Sequence, residues 1–536
     1  MHKKQTARSK NNFFQIFCSA FFVLLPFTFV FAQAPVLRTT NSYTQQSVLY
    51  NNDTFQHTAW KPVLYTDSTY IKSNRSWLYR KFFEEHLLQV QEPGFNIFGD
   101  AILDLYAGGT KRPVPTETEN EHEGKSKALS MNTRGYVING NIGKDFYFET
   151  DFYENQGRLP GYVDSFVRAT NVIPFQNRAK NFKKKGFDFA YSTARLIYTP
   201  GNHFLFDLGY NTNFIGDGYR SLLLSDYNTP YPYLHVTMNF GKFQYSVMWS
   251  QYISQGKTDS TIYALGFSRK WGQTYLLDWQ ATKNLSVGIF NSVISSVENA
   301  DHERDFGVTH FSPVIFLHSS KSPSGLANND VAGLNLKYRI TPEINLYGQF
   351  LVDQLGTAEW EKRYGWQLGL RIGNIFKVDG LNVQGEFNTV RPYTYASDTL
   401  TTVYAHDYEP LAHPLGANFK EVIGIADYSY KRWWLRAEAF LAHYGADSSS
   451  AVDYGHDIFK PLYLHSRESG IKTDQGLTTK IYYADFRAAY ILNKKNNLRV
   501  EAGAVYRSES NKRNTYKDIY GYIGVRFTFR KLIYDF

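Results

Sequence analysis

The chain has 536 residues, of which 43% are hydrophobic and 20% charged, which is too polar for a bundle of lipid-spanning helices. Aromatic residues nevertheless reach 17%, with 39 glycines, a composition that is typical of transmembrane β-barrels. The formal net charge of +9 is a mild excess for this length and indicates no nucleic-acid partner.

Residues 1–32 have the pattern of a secretory signal peptide. A basic start precedes an apolar run from Phe13 to Phe31, and the small-residue site that follows predicts cleavage between Ala32 and Gln33. The run is also long enough for a transmembrane anchor, but Pro26 within it favours cleavage. The single cysteine lies inside this segment, so the mature chain would contain no disulfide or thiolate metal site.

A short helical element is expected before the main domain. In the segment from Ser76 to Glu92, apolar residues recur at helical spacing, and Pro93-Gly94 would end the helix. This divides the mature chain into a periplasmic segment over residues 33–95 and a β-domain over residues 96–536.

From about Ile97 onward, many segments of 9 to 12 residues alternate between apolar and polar positions. Each such strand has one apolar and one polar face. Three clear examples are Arg432 to His443, Leu498 to Arg507 and Asp518 to Phe529, the last with Ile519, Ile523 and Val525 on its apolar side.

Alternation alone also fits a soluble β-sandwich, but three features favour a transmembrane barrel. The strands have the length of a tilted membrane span, and the chain ends in an aromatic residue, Phe536, typical of the signal read by the barrel-insertion machinery. Aromatic residues also cluster at strand ends, where a membrane interface would lie: Tyr428, Tyr430, Trp433, Trp434, Tyr482, Tyr483, Tyr520 and Tyr522.

Short and long connections alternate between these strands. Asn493 to Asn497 and Thr341-Pro342 have the character of short periplasmic turns. We therefore expect an all-β fold, an antiparallel outer-membrane barrel of about 18 strands. Its predicted extracellular loops are Gly109 to Asn132, Leu159 to Gly186, Asn299 to Asp330, Pro392 to Lys420 and His443 to Thr479.

Four segments in this order carry a resemblance to a known family. They are GDGYRSLLLSD (Gly216 to Asp226), NNDVAGLNLKY (Asn328 to Tyr338), INLYGQFLVDQ (Ile344 to Gln354) and LAHPLGANF (Leu411 to Phe419). With the barrel pattern, they resemble the Wzi-like capsule-assembly family, and more closely its Bacteroidetes branch, which includes gliding-motility surface proteins of the RemB type.

The resemblance implies an 18-stranded barrel closed by loops and periplasmic helices, which binds capsular polysaccharide at the cell surface and has no catalytic chemistry. The long insertions in this chain depart from the enterobacterial pattern. For that reason the role, and not a sugar specificity, is what the resemblance implies.

The first candidate site is the glycine-rich segment Gly216 to Asp226. Tyr219, Arg220 and Asp226 could hydrogen-bond to sugar hydroxyls, with the three leucines forming a short apolar turn. The alternative interpretation is that the segment only closes the mouth of the barrel.

The second candidate is the polar face of the strand that begins at Arg432. Arg432, Trp434 and Arg436 would present an aromatic ring beside guanidinium groups, a surface that suits acidic saccharides. The alternative is an internal ion-pair network that fills the lumen and also includes Glu386, Asp485, Arg487, Arg499 and Glu501.

The third candidate is a basic loop that ends in Lys183, Lys184 and Lys185. It could contact an acidic glycan or a lipid phosphate, although such runs are commonly solvated loops without a partner.

The sequence contains no G-x-S-x-G or H-E-x-x-H motif and no paired metal-ligand spacing, so no enzyme activity, cofactor or metal is expected. The leading hypothesis is a polysaccharide-binding barrel in the outer membrane, in contact with lipid and surface glycan, with a link to gliding motility as a further expectation. A porin or substrate channel is the main alternative. A barrel-embedded hydrolase with residues from distant strands is the third.

Overall fold

The computed structural model of the protein describes most of the chain beyond the predicted signal peptide. The described residues are 36–40, 57–67, 74–111, 127–183, 186–254, 268–296, 311–317, 328–354, 362–449, 452–464, 472–527, 530, 532 and 534–536. The predicted signal and its cleavage site lie outside these ranges.

Eighteen antiparallel strands form one closed barrel, as predicted. Each strand pairs with the next in the chain, and β18 pairs with β1 from Ile519↔Lys111 to Val525↔Leu105, which closes the sheet. The strands are β1 (Phe95–Lys111), β2 (Lys127–Ile142), β3 (Phe146–Arg158), β4 (Gly186–Tyr198), β5 (Phe204–Asn211), β6 (Tyr231–Phe240), β7 (Phe243–Ile253), β8 (Arg269–Gln280), β9 (Leu285–Ser296), β10 (Asn328–Arg339), β11 (Ile344–Asp353), β12 (Tyr364–Ile372), β13 (Leu381–Val390), β14 (Phe419–Tyr430), β15 (Trp433–Ala446), β16 (Leu477–Asn493), β17 (Leu498–Ser510) and β18 (Thr515–Arg526).

The two faces of the strands separate as the alternation predicts. On β15, Arg436 and Glu438 face the lumen with 4% and 3% exposure, whereas Leu441 faces outward with 51%. On β18, Ile523 faces outward at 63% and Asp518 is buried inside. This polar-in, apolar-out arrangement is the reverse of a soluble protein and matches a barrel whose outer solvent is hydrocarbon.

The connections differ sharply between the two ends of the barrel. One end, the short-turn end, has connections at 143–145, 199–203, 241–242, 281–284, 340–343, 373–380, 431–432 and 494–497. The other, the long-loop end, has connections at 112–126, 159–185, 212–230, 254–268, 297–327, 354–363, 391–418, 447–476 and the short 511–514. Both predicted short turns are confirmed. The strands extend further into the predicted loops than expected, so that β15 continues past His443 to Ala446.

An outward-facing aromatic ring surrounds the short-turn end. The stacked side chains of Phe240, Phe243 and Trp279 are part of it, with centroids 6.0 to 6.1 Å apart. Its exposed members include Tyr198, Phe204, Phe240, Phe243, Trp279, Tyr338, Tyr430, Trp433 and Tyr490. Tyr430 and Trp433 were correctly placed at the interface. The placement of Tyr483 and Tyr520 there is wrong, because both face the lumen and are buried.

The predicted helix over Ser76 to Glu92 is only partly correct. Helix α1 (Trp77–Phe83) is followed by a strand, Leu88–Glu92, which pairs with the start of β1 through the Pro93-Gly94 turn. Gly94 has a φ of +100°, a value that favours glycine at the turn. β18 ends at Arg526 and does not reach the periplasmic end of β1, so Leu88–Glu92 can pair there. The backbone hydrogen bonds of this pairing stabilise a strand in a segment whose apolar spacing predicted a helix.

Smaller elements lie in the loops and at the N-terminus. Helix α2 (Gly161–Thr170) lies in the connection between β3 and β4. Four short antiparallel strand pairs join Val36–Thr40 to Val63–Asp67, Trp60–Lys61 to Phe214–Ile215, Val172–Ile173 to Asn177–Arg178 and Ala405–His406 to Glu409–Pro410. A further short strand, Lys180–Phe182, pairs with the start of β4. Short 3-10 helices lie at Ile375–Lys377 and Leu462–Leu464. No helix in the described part of the chain is both long and apolar enough to cross a membrane.

The end of the chain differs from expectation. The last strand was predicted to reach Phe529, but β18 stops at Arg526, ten residues before the terminal Phe536. Tyr534 and Asp535 are buried inside the barrel. The aromatic terminus therefore belongs to the lumen and not to the lipid-facing surface.

The assignment of faces can be tested at Phe486, which lies at the centre of β16 and is 53% exposed on the outer side. Phe486→Arg should lower the stability of the folded barrel by about 2 to 4 kcal/mol, because a charge would face hydrocarbon. Phe486→Leu should behave like the wild type. Urea unfolding in liposomes measures both, and equal stability of the two variants would contradict the outward assignment.

Candidate functional site

The connection between β5 and β6, residues 212–230, turns into the lumen instead of away from it. Gln349 of β11 holds it in place, since its side chain accepts the Leu222 N–H at 2.7 Å and donates to the Ile215 carbonyl at 2.9 Å. Gly216 has a φ of +147°, and a Cβ there would lie 2.4 Å from the Gln349 amide nitrogen. The glycines of this segment therefore permit close contact with the barrel wall.

Arg220, at the centre of this inward loop, is fully buried. Its guanidinium forms ion pairs with Glu421 of β14 at 3.2 Å and with Asp535 near the C-terminus at 3.1 Å. The rings of Tyr227 and Tyr219 lie 4.7 and 5.3 Å from it. The partners of Arg220 are thus two rings of its own loop and two carboxylates from distant parts of the chain.

Tyr219 is buried beside Arg220 and serves the same cluster. Its hydroxyl lies 2.7 Å from Asp535 and 3.1 Å from Glu438, and its backbone N–H donates to Glu386 at 2.8 Å. Asp226, at the end of the segment, is half-buried. In this conformation Tyr219 and Arg220 contact protein, as the alternative interpretation of barrel closure expected, and sugar binding by the three residues stays a prediction.

The face of β15 does not form one continuous binding surface. Arg436 pairs with Asp427 at 3.1 Å and with Glu438 at 2.9 Å, whereas the Trp434 ring lies 5.0 Å from the Arg499 guanidinium. Arg432 lies at the short-turn end and donates to the Ile491 carbonyl at 3.2 Å.

The interpretation of this face as part of an internal ion-pair network agrees with these contacts. Further pairs belong to the same network: Arg487–Asp485 at 2.7 Å, Arg499–Glu501 at 2.7 Å and Arg526–Glu501 at 3.0 Å.

The basic loop is exposed at its described end. Lys183 has a φ of +45°, and its ammonium lies 5.0 Å from the centre of the Phe182 ring. Lys184 and Lys185 lie outside the described residues. Upstream in the same connection, Arg178 forms a bidentate ion pair with Asp407 of the loop at 391–418.

The long-loop end is locked by Glu409, which the sequence did not single out. Its two carboxylate oxygens accept the backbone N–H groups of Phe175 and Thr229, each at 2.7 Å. One buried side chain thereby joins the loops at 159–185, 212–230 and 391–418. Burial raises the pKa of Glu409 well above its ordinary value.

The loop at 391–418 packs on the inward loop from the long-loop end of the barrel. The hydroxyls of Tyr395 and Tyr404 donate to the carbonyls of Leu222 and Leu223 at 2.7 and 2.8 Å. His413 of the same loop lies 2.7 Å from Glu421, the partner of Arg220. Since Tyr395 and Tyr404 are separated from their partners by 173 and 181 residues, local sequence patterns carry no signal for these two contacts.

The N-terminal segment also enters the barrel. The Trp60 ring stacks on the inward-facing His235 of β6 with centroids 4.2 Å apart, and the Thr58 hydroxyl donates to Asp217 at 2.7 Å. His57 lies 2.7 Å from Asp278 of β8. Residues 57–61 of the expected periplasmic segment therefore lie inside the barrel, against the inward loop.

Among the described residues, no group of three or more His, Cys, Asp and Glu side chains is arranged to hold a metal ion. Many charged side chains of the lumen pair with one another, as Arg220 does with Glu421 and Arg526 with Glu501.

These features define the class of the protein. A closed 18-stranded barrel with an apolar outer surface, an aromatic ring at its short-turn end and a polar lumen is a bacterial outer-membrane β-barrel. The short-turn end faces the periplasm and the long-loop end faces the cell exterior.

No family model matches the chain, and no curated protein matches it in sequence. Among solved structures, it is similar to Wzi of Escherichia coli, described as a carbohydrate-binding β-barrel involved in group 1 capsule assembly, with 14% identity, a TM-score of 0.48, and coverage of 80% of this chain and 85% of that one. It is also similar to OprD of Pseudomonas aeruginosa, with 9% identity, a TM-score of 0.39 and coverage of 81% and 96%, and to OccAB2 of Acinetobacter baumannii, with 10% identity, a TM-score of 0.40 and coverage of 80% and 98%.

The hydrogen bonds that Glu409 accepts from Phe175 and Thr229 should make the stability of the extracellular loops depend on pH. A carboxyl group whose pKa is raised on folding stabilises the folded state below its unfolded pKa, and this contribution is lost as the pH rises through the folded value. The loops should therefore resist protease better at pH 5 than at pH 8. Glu409→Gln should reduce this difference, and limited proteolysis of the folded barrel at both pH values measures it. An unchanged pH dependence in the variant would show that Glu409 is not the responsible group.

Proposed function

We propose that the protein is a non-enzymatic outer-membrane barrel that binds polysaccharide at its extracellular surface and keeps it attached to the cell. The observation that carries the proposal is that the extracellular loops at 159–185, 212–230 and 391–418 are tied together at Glu409 and Arg178. Because these loops are held against one another at the extracellular end, we expect ligand to bind on their exposed outer surface.

The exposed loop surface includes a cation suited to an acidic glycan. Lys183 is exposed at the extracellular end, and the chain continues there with two further lysines. An exposed ammonium group attracts carboxylate or sulfate groups of a polymer without a preformed pocket, and many weak contacts along the polymer add up. The family resemblance of the sequence supports the same role and adds a possible link to gliding motility.

A porin or substrate channel is the second candidate, and one feature favours it. The segments that fill the lumen are loops and an N-terminal segment, and the wall behind them is polar, as in barrels that hold an aqueous channel. Single-channel recording in planar bilayers separates the two functions. The wild type should show no large open steps if the binding role is correct.

Deletion of the gene should release polysaccharide into the medium while the total amount stays the same. Attachment and synthesis are separated in this way, because a component of synthesis or export would lower the total. Cell-bound and released polysaccharide are measured separately, and surface spreading is scored in the same strains to test the gliding link. Normal retention in the deletion mutant would contradict the proposed role.

The basic loop can be tested with a matched control. Lys183→Ser, alone and together with Lys184→Ser and Lys185→Ser, should weaken retention of an acidic polysaccharide, and raised salt should mimic the loss because it screens charges beyond about 8 to 10 Å. Lys431 is the control, since it also has a positive φ and lies 5.1 Å from an aromatic ring, that of Tyr430, but at the periplasmic end. An equal effect of Lys431→Ser would contradict an extracellular binding site.

A further inference from the structure

The chain does not end at the barrel wall but returns into the lumen. β18 finishes at Arg526 on the periplasmic side, and Asp535 lies against Arg220 of the inward loop. Nine residues of extended chain reach about 30 Å, which is enough to cross most of the membrane thickness. We call residues 527–536 the C-terminal strap.

A dedicated carboxylate site receives Asp535. The Tyr219 and Tyr227 hydroxyls donate to its carboxylate at 2.7 and 2.8 Å, and Arg220 pairs with the carboxylate at 3.1 Å and donates to the Asp535 carbonyl at 2.6 Å. Both Asp535 and Arg220 are completely buried. Several charge-assisted donors converge on one carboxylate, which is a strong and directional form of recognition.

An aromatic pocket receives the terminal residue. The Phe536 ring lies 5.5 Å from Tyr162 and Phe166 of α2 and 6.0 Å from Phe175, and Arg507 of β17 donates to the terminal carbonyl oxygen at 2.9 Å. The Tyr162 hydroxyl donates to the Tyr534 carbonyl at 2.5 Å. The strap is therefore bound to the helix of an extracellular loop from the inside.

The middle of the strap is fixed independently. The Arg530 guanidinium lies 4.7 Å from the Tyr153 ring and 5.5 Å from the Tyr191 ring, and it donates to Asn155 at 2.9 Å. Arg487 of β16 donates to the Leu532 carbonyl at 3.4 Å. Strands from both sides of the β18–β1 seam thus contact the strap at Arg530 and Leu532.

We propose that the C-terminal strap is an internal ligand of the lumen, held in a site that recognises an aromatic residue preceded by a carboxylate, and that it keeps the barrel closed. The site is built from Tyr219, Arg220, Tyr227, Arg507 and α2, and the described residues of the strap, 527, 530, 532 and 534–536, lie on the side of the lumen next to the β18–β1 seam. When the strap leaves, that side opens towards the periplasm and α2 loses its support, so ions pass. This goes beyond the proposed polysaccharide binding, which requires no strap.

The test compares purified full-length protein with a variant that lacks residues 527–536, both reconstituted in planar bilayers. The truncated barrel should show open steps that are absent from the wild type. A synthetic peptide of residues 527–536, added from the periplasmic side, should close them again, and the same peptide with Asp535→Ala should not. Heat-dependent gel mobility confirms that each barrel is folded.

A second variant keeps the full chain length in case the truncated barrel fails to assemble. Asp535→Ala combined with Phe536→Ala should show the same open steps as the truncated barrel, which are absent from the wild type, because the charge-assisted contacts of Asp535 and the ring contacts of Phe536 are lost. Asp474→Ala is the matched control. It removes a carboxylate that pairs with Lys420 at 2.7 Å on the extracellular side and does not contact the strap, so it should stay closed.

A folded barrel without a bound strap that conducts no more than the wild type would overturn the proposal, as would opening of the Asp474→Ala control to the same extent. Polysaccharide retention is measured in the same strains. A silent truncated barrel with normal retention would refute the strap and leave the proposed function standing, whereas loss of retention in the gene deletion tests the function alone.

Discussion

A buried guanidinium is tolerated only where its charge is compensated, and this requirement at Arg220 organises the lumen. Its ion-pair partners come from the wall, through Glu421, and from the C-terminal strap, through Asp535. Glu421 in turn binds His413 of an extracellular loop. Removing one partner of such a cluster costs about 3 to 5 kcal/mol, so the loops, wall and tail are energetically coupled.

The alternation of side chains made the barrel predictable, because it is a local property that a membrane imposes on every strand. The faces of β15 and β18 follow directly from it. The pairing of Leu88–Glu92 with β1 was not predictable in the same way, since it depends on where β18 ends, more than 400 residues later. The local apolar spacing of this segment favours a helix, but the edge of β1 has backbone N–H and C=O groups that need hydrogen-bond partners. Pairing with that edge therefore favours a strand.

The candidate site was predictable in part. The glycine-rich segment was singled out from the sequence, and of the residues named in it Tyr219 and Arg220 are buried in the lumen, whereas Asp226 is half-buried; their role in sugar binding stays a prediction. Their partners could not be identified from the sequence, because Glu421 and Asp535 are joined to them only by the closed geometry of the barrel. For the same reason Glu409, which ties three loops together, appeared in the sequence as an ordinary acidic residue.

The position of the C-terminus has a practical consequence for work on this protein. Because Asp535 is buried and the half-buried Phe536 ring packs against Tyr162 and Phe166 of α2, an affinity tag or fluorescent protein fused to the last residue would disturb these contacts. Such a fusion would study a different state of the barrel. The connection at 511–514, which is largely exposed at the extracellular end, offers an insertion point that leaves the interior untouched.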